Sequence, residues 1–511
     1  VDLLFVGKTL ARRGLLNPGR PDRILDQLNT LRRWGFTLAG ELRAAEARDP
    51  HKAAVIDEHR GPVSYRLLMR RSQRLAAGLI ATRGVREGDR IGLLCRNHAG
   101  FIEAMVACSI IGADAVLVNT ALSAPQLTAV ASQQDLRLLL HDREFAPLAA
   151  AVPCERLDES TMEGLIGATP PPRSWQSSRA GRMIVLTSGT TGAPKGARRP
   201  TPSGFGPLAS IIDRIPLHVG DRMHIAAPIF HTWGYAALQL ALATRATIVL
   251  QRKFDPVGCA AAANGCDSLF AVPVMLQRLL EAGVVPKVKP RVVAVSGSAL
   301  PGGLATSFMD RWGNSLYNLY GSTEASWASI ATPADLRKDP GTAGRPPHGT
   351  RILILGTDGK PVRRGEVGQI YVGNEMLFEG YTAGNGRSFH DGLLGTGDLG
   401  HVDADGLLYV DGRADDMVVS GGENVFPRPV EELLAQLPQV REVAVIGVPD
   451  AEFGERLAAY VVLNEGSYLD AVEVREYVRH YLARFSVPRD VHFLSELPRT
   501  STGKVIPRLL R

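Results

Sequence analysis

The sequence predicts an α/β protein of two unequal domains: a large N-terminal domain of mostly parallel α/β layers, and a small, mobile α+β domain at the C-terminus. Three observations carry this expectation. Helical and strand-like periodicities alternate through the first third of the chain and return over 247–296. From about Gly341, short alternating segments separated by Gly, Pro and Asp take over, which implies a small antiparallel, barrel-like part over about 341–412. Near Gly412 the texture changes again. At 511 residues the chain is also too long for one hydrophobic core. The expected division is 1–414, containing the β-rich part, and 415–511.

The elements follow from local signals. Ser64 caps a helix that places Leu68, Leu75 and Leu79 on one face, and Gly84 with the Glu87-Gly88-Asp89 turn ends it. Residues 90–95 read as a strand, 99–111 as a helix and 115–119 as the next strand. Alternation at this spacing implies parallel strands with helices on the sheet faces. The pattern resumes with strands at 247–251, 268–272 and 292–296. Strands at 351–355 and 369–372 belong to the antiparallel part. In the last segment, strands at 442–448 and 457–463 precede a helix with Val474, Tyr477, Val478, Tyr481, Leu482 and Phe485 on one face. Asp470 and Glu473 form a capping box in front of it.

Composition excludes several classes. Apolar residues at 45% and charged residues at 22% rule out a disordered tail, a collagen-like fibre and a coiled coil. No window reaches 18 uncharged apolar residues; the best, 101–119, contains Glu103 and Asp114. The apolar run at 3–6 is too short for a secretory signal, so a cytoplasmic protein is expected. Five cysteines without a C-x-x-C pair fit a reducing compartment and no structural zinc. A net charge of +6, spread along the chain, does not suggest nucleic acid. Around 23–33, Ile24, Leu28 and Leu31 recur at helical spacing near Arg12, Arg13, Arg23, Arg32 and Arg33. Such a helix either packs on the main domain or makes peripheral contact with an anionic membrane. Nothing in the sequence sets an oligomeric state.

The richest stretch for chemistry is TSGTTGAPKG, residues 187–196, which succeeds an apolar run at 183–186. Glycines Gly189 and Gly192 let backbone N–H groups turn toward an anion. Thr187, Ser188, Thr190 and Thr191 add hydroxyl donors, and Lys195 adds a charge. A loop of this composition cradles phosphates. It is not a P-loop, because two residues, not four, separate its glycines and Pro194 precedes Lys195. The stretch resembles the phosphate loop of the adenylate-forming (AMP-binding) superfamily, which includes acyl-CoA synthetases, luciferases and peptide-synthetase adenylation domains.

Five further segments resemble that family in the expected order, so the resemblance spans roughly residues 50–511. APIFHTWGY, 227–235, is similar to the acyl-pocket segment and gives His231 a positioning role near the substrate carboxylate. YGSTE, 320–324, is similar to the adenine and magnesium segment, implying that Tyr320, Gly321, Ser322 and Thr323 meet the nucleotide and that Glu324 holds the metal. A carboxylate beside hydroxyls suits Mg2+ by its own chemistry, since that ion prefers oxygen ligands. Gly297, Ser298 and Ala299 resemble the adenine-contacting turn, with Ser298 loosening the match. Asp398 lies in GTGDLG, 395–400, which also satisfies G-x-G-x-x-G. The residues after it, 401–412, read as a hairpin with its turn at Asp405-Gly406, not as a helix, so a dinucleotide site is rejected. The resemblance implies that Asp398 and Arg413 contact ribose.

Residues 412–432 resemble the hinge, which maps to Asp415, with Gly421 and Gly422 lining the coenzyme A channel. PRTSTGKV, 498–505, resembles the catalytic-lysine loop. Taken alone, Lys504 would be a solvated lysine near a chain end; the resemblance makes it a mobile catalytic group. It is one of only nine lysines among 58 basic residues. The family type most resembled is the fatty acyl-CoA synthetase. It implies that a medium- or long-chain fatty acid reacts with ATP, with Mg2+ as cofactor, to give an acyl-adenylate, and that coenzyme A then takes the acyl group. Two rivals remain open: an acyl- or aryl-adenylating enzyme that transfers to a separate carrier protein, and a non-catalytic nucleotide-binding protein.

Overall fold

The computed structural model describes residues 2–170, 179–187, 195–382, 384, 388–414, 418–420, 423–450, 454–500 and 503–510. The large N-terminal domain is built on two mostly parallel sheets. One has eight strands in the order Ser329–Ala331, Leu316–Tyr320, Val292–Val295, Ser268–Ala271, Arg222–Ile225, Thr247–Leu250, Ala53–Asp57 and Gly61–Ser64. Its two edge strands are antiparallel and the rest parallel. The other has six strands: Glu155–Asp158, Leu138–His141, Arg90–Leu94, Asp114–Leu117, Met183–Thr187 and Lys195–Arg198, with only the last antiparallel.

The local signals act as read. Ser64 Oγ accepts the Leu67 N–H at 3.2 Å, and Gly84 closes the helix Tyr65–Arg83 in the left-handed region at φ 62°. The helix Ala99–Ile111 is buried along its whole length, which explains why it is largely apolar, with its one charge, Glu103, paired to Arg60 and Arg71. Strands of the parallel sheets end one or two residues before the expected limits, as in Arg90–Leu94 and Ser268–Ala271. One arrangement escaped the sequence. Cys95, His98 and Asp142 meet in the core, where His98 Nε2 lies 2.7 Å from Asp142 Oδ1 and the Arg96 N–H donates to Asp142 Oδ2 at 2.8 Å.

A five-stranded antiparallel sheet comes next, formed by Arg351–Leu355, Gly368–Gly373, Phe389–His390, Leu393–Val402 and Leu408–Arg413. GTGDLG lies inside Leu393–Val402, which pairs with Leu408–Arg413 across the turn at Asp405-Gly406. The smaller C-terminal domain has strands Val418–Ser420, Glu423–Val425, Val440–Asp450, Gly454–Leu463 and Asp490–Phe493, with helices Pro427–Leu434 and Ala471–Tyr481 packed on them. The Asp470–Glu473 capping box is present. The apolar face expected on the second helix is shorter than read. The backbone turns extended at Leu482, Phe485 falls in a separate exposed turn, and Tyr481 is exposed, so Val474 and Val478 alone are fully buried.

Helix Pro21–Trp34 packs against Leu38–Arg48, with Ile24 and Leu31 partly covered and Leu25 and Leu28 exposed. Among the described residues, no helix is long and apolar enough to cross a membrane.

Candidate active site

The strands Met183–Thr187 and Lys195–Arg198 form a hairpin in which Thr187 pairs with Lys195 and Leu186 with Gly196. Thr187 Oγ1 donates to the Lys195 carbonyl at 3.2 Å. Thr187 and Lys195 thus stand at the two feet of the glycine- and hydroxyl-rich stretch. Ser188, Gly189, Thr190, Thr191 and Gly192 lie outside the described residues, as do Asp415, Gly421 and Gly422. Gly196 has to be small: a Cβ there would fall 2.6 Å from Gln134 Oε1 and 2.8 Å from both Ile184 Cγ2 and Thr382 Oγ1.

Segment 320–324 leaves the end of strand Leu316–Tyr320 and turns back on itself. A Cβ on Gly321 would lie 2.4 Å from the Ser326 carbonyl, so only glycine fits the bend. The Ser322 hydroxyl accepts the Ala325 N–H at 3.0 Å. Two groups that sequence reading did not single out hold Thr323. The Thr232 hydroxyl lies 2.8 Å from its hydroxyl, and Arg199 Nη1 donates to its carbonyl at 2.5 Å. Arg199 is buried. Burial pulls its guanidinium down to about 10, against the opposing influence of Tyr235 and Glu324, so it stays cationic at neutral pH. The adjacent Arg198-Arg199 pair shortly after the glycine- and hydroxyl-rich stretch was the available signal for it.

Glu324 is buried at 5% exposure, and Tyr381 donates to its Oε1 at 2.5 Å. A buried carboxylate beside the Thr323 hydroxyl is a hard-oxygen donor set of the kind Mg2+ takes. Tyr320 donates to Asp398 Oδ2 at 2.5 Å, and Arg413 Nη1 lies 3.4 Å from Asp398 Oδ1. Asp398 and Arg413 are register partners on neighbouring antiparallel strands, which fixes the pair by backbone pairing. Gly297, at φ 97°, opens the turn through Ser298 and Ala299 after strand Val292–Val295.

His231 sits at the N-terminal end of helix Thr232–Ala243, its ring 4.5 Å from that of Phe230. Its Nε2 is buried without a hydrogen-bond partner. Burial, and then the positive charge of Lys504, push the imidazole down to about 3, so it is neutral at physiological pH. Next to it, Trp233 is fixed by donation to the Ala271 carbonyl at 3.0 Å and by its contact with Phe270.

Lys504 joins these groups from the small domain. Lys504 is an exposed residue, although protein packs around its ammonium. Burial lowers its pKa first, Asp398 opposes that, Arg413 adds to it and Glu324 opposes it. The lysine is therefore within electrostatic reach of the Glu324, Asp398–Arg413 and His231 groups together. Its turn is held by Thr500, whose N–H donates to the Lys504 carbonyl at 2.7 Å and whose hydroxyl accepts the Lys504 N–H at 3.1 Å. Gly503, at φ 80°, presses on the large domain: a Cβ would lie 2.4 Å from Val274 Cγ1. Gln277 Nε2 adds a contact to the Arg441 carbonyl at 3.3 Å.

The chain is similar over most of its length to proteins of one family. The family described as AMP-binding enzyme matches residues 42–382, and the one described as AMP-binding enzyme C-terminal domain matches 429–504. A feruloyl-CoA synthase of Amycolatopsis sp is 34% identical over 472 residues, covering 89% of this chain and 95% of the relative. An indoleacetate–CoA ligase of Aromatoleum aromaticum is 31% identical, covering 89% and 94%. Among solved structures, o-succinylbenzoate CoA synthetase from Bacillus subtilis, in complex with its acyl-adenylate intermediate, superimposes with a TM-score of 0.83 at 29% identity, covering 92% of this chain and 97% of that one.

Proposed function

The chain belongs to the AMP-binding enzyme family, and on that premise we propose that it is an AMP-forming acid–thiol ligase that joins a carboxylic acid to coenzyme A through an acyl-adenylate. One observation carries the reading. The ammonium of Lys504, from the small domain, lies within electrostatic reach of the buried Glu324, the Asp398–Arg413 pair and the neutral His231.

In the first half-reaction a carboxylate oxygen attacks the α-phosphorus of ATP. The new P–O bond forms as the bond to pyrophosphate breaks. Such chemistry depends on positioning and charge neutralisation more than on proton transfer. The acid is already ionised at neutral pH, so His231 needs no basic role, which suits a ring held neutral by burial. Lys504 neutralises charge developing around phosphorus, and a preorganised donor of that kind is worth about 3–4 kcal/mol. The 187–196 stretch grips the pyrophosphate, Asp398 and Arg413 take the ribose, and the turn at Gly297, Ser298 and Ala299 with Tyr320 faces adenine. Glu324, beside Thr323, would hold Mg2+, which supplies charge neutralisation on the phosphates.

In the second half-reaction the coenzyme A thiol attacks the acyl carbon, its proton passes to solvent, and AMP leaves. Lys504 then has no role at phosphorus. The reading therefore includes rotation of 415–511 about Asp415, which withdraws the lysine and brings Gly421 and Gly422 toward the pantetheine arm.

For the acid, the local chemistry favours an apolar body. Phe230, whose ring packs against His231, is buried, as are Trp233 and Tyr235 nearby in sequence. The relatives named for ferulate, indoleacetate and succinylbenzoate favour an aromatic acid. A medium- or long-chain fatty acid is the other apolar candidate. The test is a pyrophosphate-release screen over ferulic, indoleacetic and graded fatty acids, with subsequent detection of the free coenzyme A thioester. Release with thioester formation supports the ligase. No release from any acid would sink it, and release without a free thioester would favour transfer to a carrier protein.

A further inference from the structure

Tyr381 touches both halves of the phosphate-handling machinery. Its hydroxyl donates to Glu324 Oε1 at 2.5 Å, and the Lys195 ammonium stands 5.7 Å from the centre of its ring. Phe378 packs edge-on against that ring at 5.0 Å between centroids. The backbone around it is laced to the same two elements. Phe378 donates its N–H to the Glu324 carbonyl at 2.8 Å, Thr382 donates to the Gly196 carbonyl at 2.8 Å, and Tyr381 itself forms an antiparallel bridge with Ala197. This segment therefore lies beside strand Lys195–Arg198, joined to it by a single antiparallel bridge and flanking hydrogen bonds. One phenol spans from the foot of the hairpin to the carboxylate, with its edge on the acid and its face near the base.

We infer that Tyr381 is a positioning residue: its hydroxyl fixes the plane of the Glu324 carboxylate for a nucleotide-bound divalent cation, while its ring sets the Lys195 ammonium at the foot of the phosphate hairpin. A carboxylate on a rotatable side chain presents its oxygens to a metal well only when a second group holds it. Loss of such a supporting hydrogen bond typically costs about 10–100-fold in metal affinity. The ring–ammonium contact is electrostatic and needs the aromatic face but not the hydroxyl. The two functions therefore separate by substitution. The inference rests on Glu324 as the metal carboxylate.

The experiment is a Mn2+ titration monitored by electron paramagnetic resonance, on the full chain with a non-hydrolysable ATP analogue, so that no turnover enters the readout. Wild-type protein should show a nucleotide-dependent Mn2+ site. Tyr381→Phe should weaken that site about tenfold or more while leaving metal-free binding of the analogue unchanged. Tyr381→Leu should weaken both, because the ring is gone. In a Glu324→Gln background, Tyr381→Phe should have no further effect on Mn2+. Thermal unfolding of each variant checks its fold, and Tyr381→Met replaces Tyr381→Leu if the latter does not fold. A wild-type site that Tyr381→Phe leaves unchanged, or an equal effect with and without Glu324, overturns the role of Tyr381 alone. A wild type with no Mn2+ site overturns the metal reading of Glu324 together with it.

Discussion

The Tyr320 hydroxyl donates to Asp398 Oδ2 at 2.5 Å, tying the end of a parallel-sheet strand to the antiparallel sheet that comes after it in sequence. That bond and the Arg413 contact at 3.4 Å hold the carboxylate where two layers of the large domain meet. An acceptor fixed in this way can recognise a vicinal diol.

Asp398→Asn should therefore raise the KM for ATP by about 10–100-fold, since hydrogen bonds to a charged acceptor contribute about 1.5–3 kcal/mol. It should also narrow the preference of the enzyme for ATP over 2′-deoxy-ATP. Steady-state kinetics with the two nucleotides checks this. Unchanged discrimination would remove Asp398 from the ribose.

Arg199 makes a second prediction. Its 2.5 Å bond to the Thr323 carbonyl holds the residue preceding Glu324. Arg199→Met should lower kcat/KM for ATP in the pyrophosphate-forming half-reaction by about tenfold or more, the value of one charge-assisted hydrogen bond. Exchange kinetics at saturating acid would show it, and wild-type values would argue that the carbonyl is held well enough without it.

These two residues show how far the sequence could be read. Asp398 was legible as a motif position from its resemblance to the family's ribose segment, although it lies within strand Leu393–Val402 and not in a turn, and backbone register pairs it with Arg413. Arg199 and Tyr381 were not, because their importance comes from where packing places them: each reaches the 320–324 loop from an element distant in sequence. Lys504 was legible as a motif but not as a location, since its position depends on contacts such as Gly503 against Val274 between the domains. The parallel core was readable from periodicity, whereas the end of helix Ala471–Tyr481 was not, because Leu482 and Phe485 continue its apolar pattern beyond Tyr481, where the backbone turns extended.

Glu41 provides a prediction about stability. It is buried at the edge of a small apolar cavity lined by Leu31, Phe36, Phe205 and Leu242, and its Oε2 has no hydrogen-bond partner. Burial raises its carboxyl well above the ordinary 4.5. The folded chain thus keeps a proton that the unfolded chain releases. Because the native state binds more protons, this group's contribution to stability falls as pH rises above that ordinary value, by about 1.4 kcal/mol per pH unit, until the folded carboxyl ionises. Glu41→Gln should remove that slope, so urea unfolding at about pH 5 and about pH 8 should differ less in the variant than in wild type. Equal pH dependence in the two proteins would mean that Glu41 is ionised in the fold.

The central claim, that the Lys504 ammonium acts at phosphorus in the adenylating arrangement and not in thioester formation, is tested most directly by assaying Lys504→Ala in the two half-reactions separately. The account predicts that ATP–pyrophosphate exchange with a turned-over acid falls by about 10²–10³-fold, the value of one preorganised donor, while thioester formation from preformed acyl-adenylate and coenzyme A stays close to wild type. Equal loss in both half-reactions, or retained exchange, would contradict it.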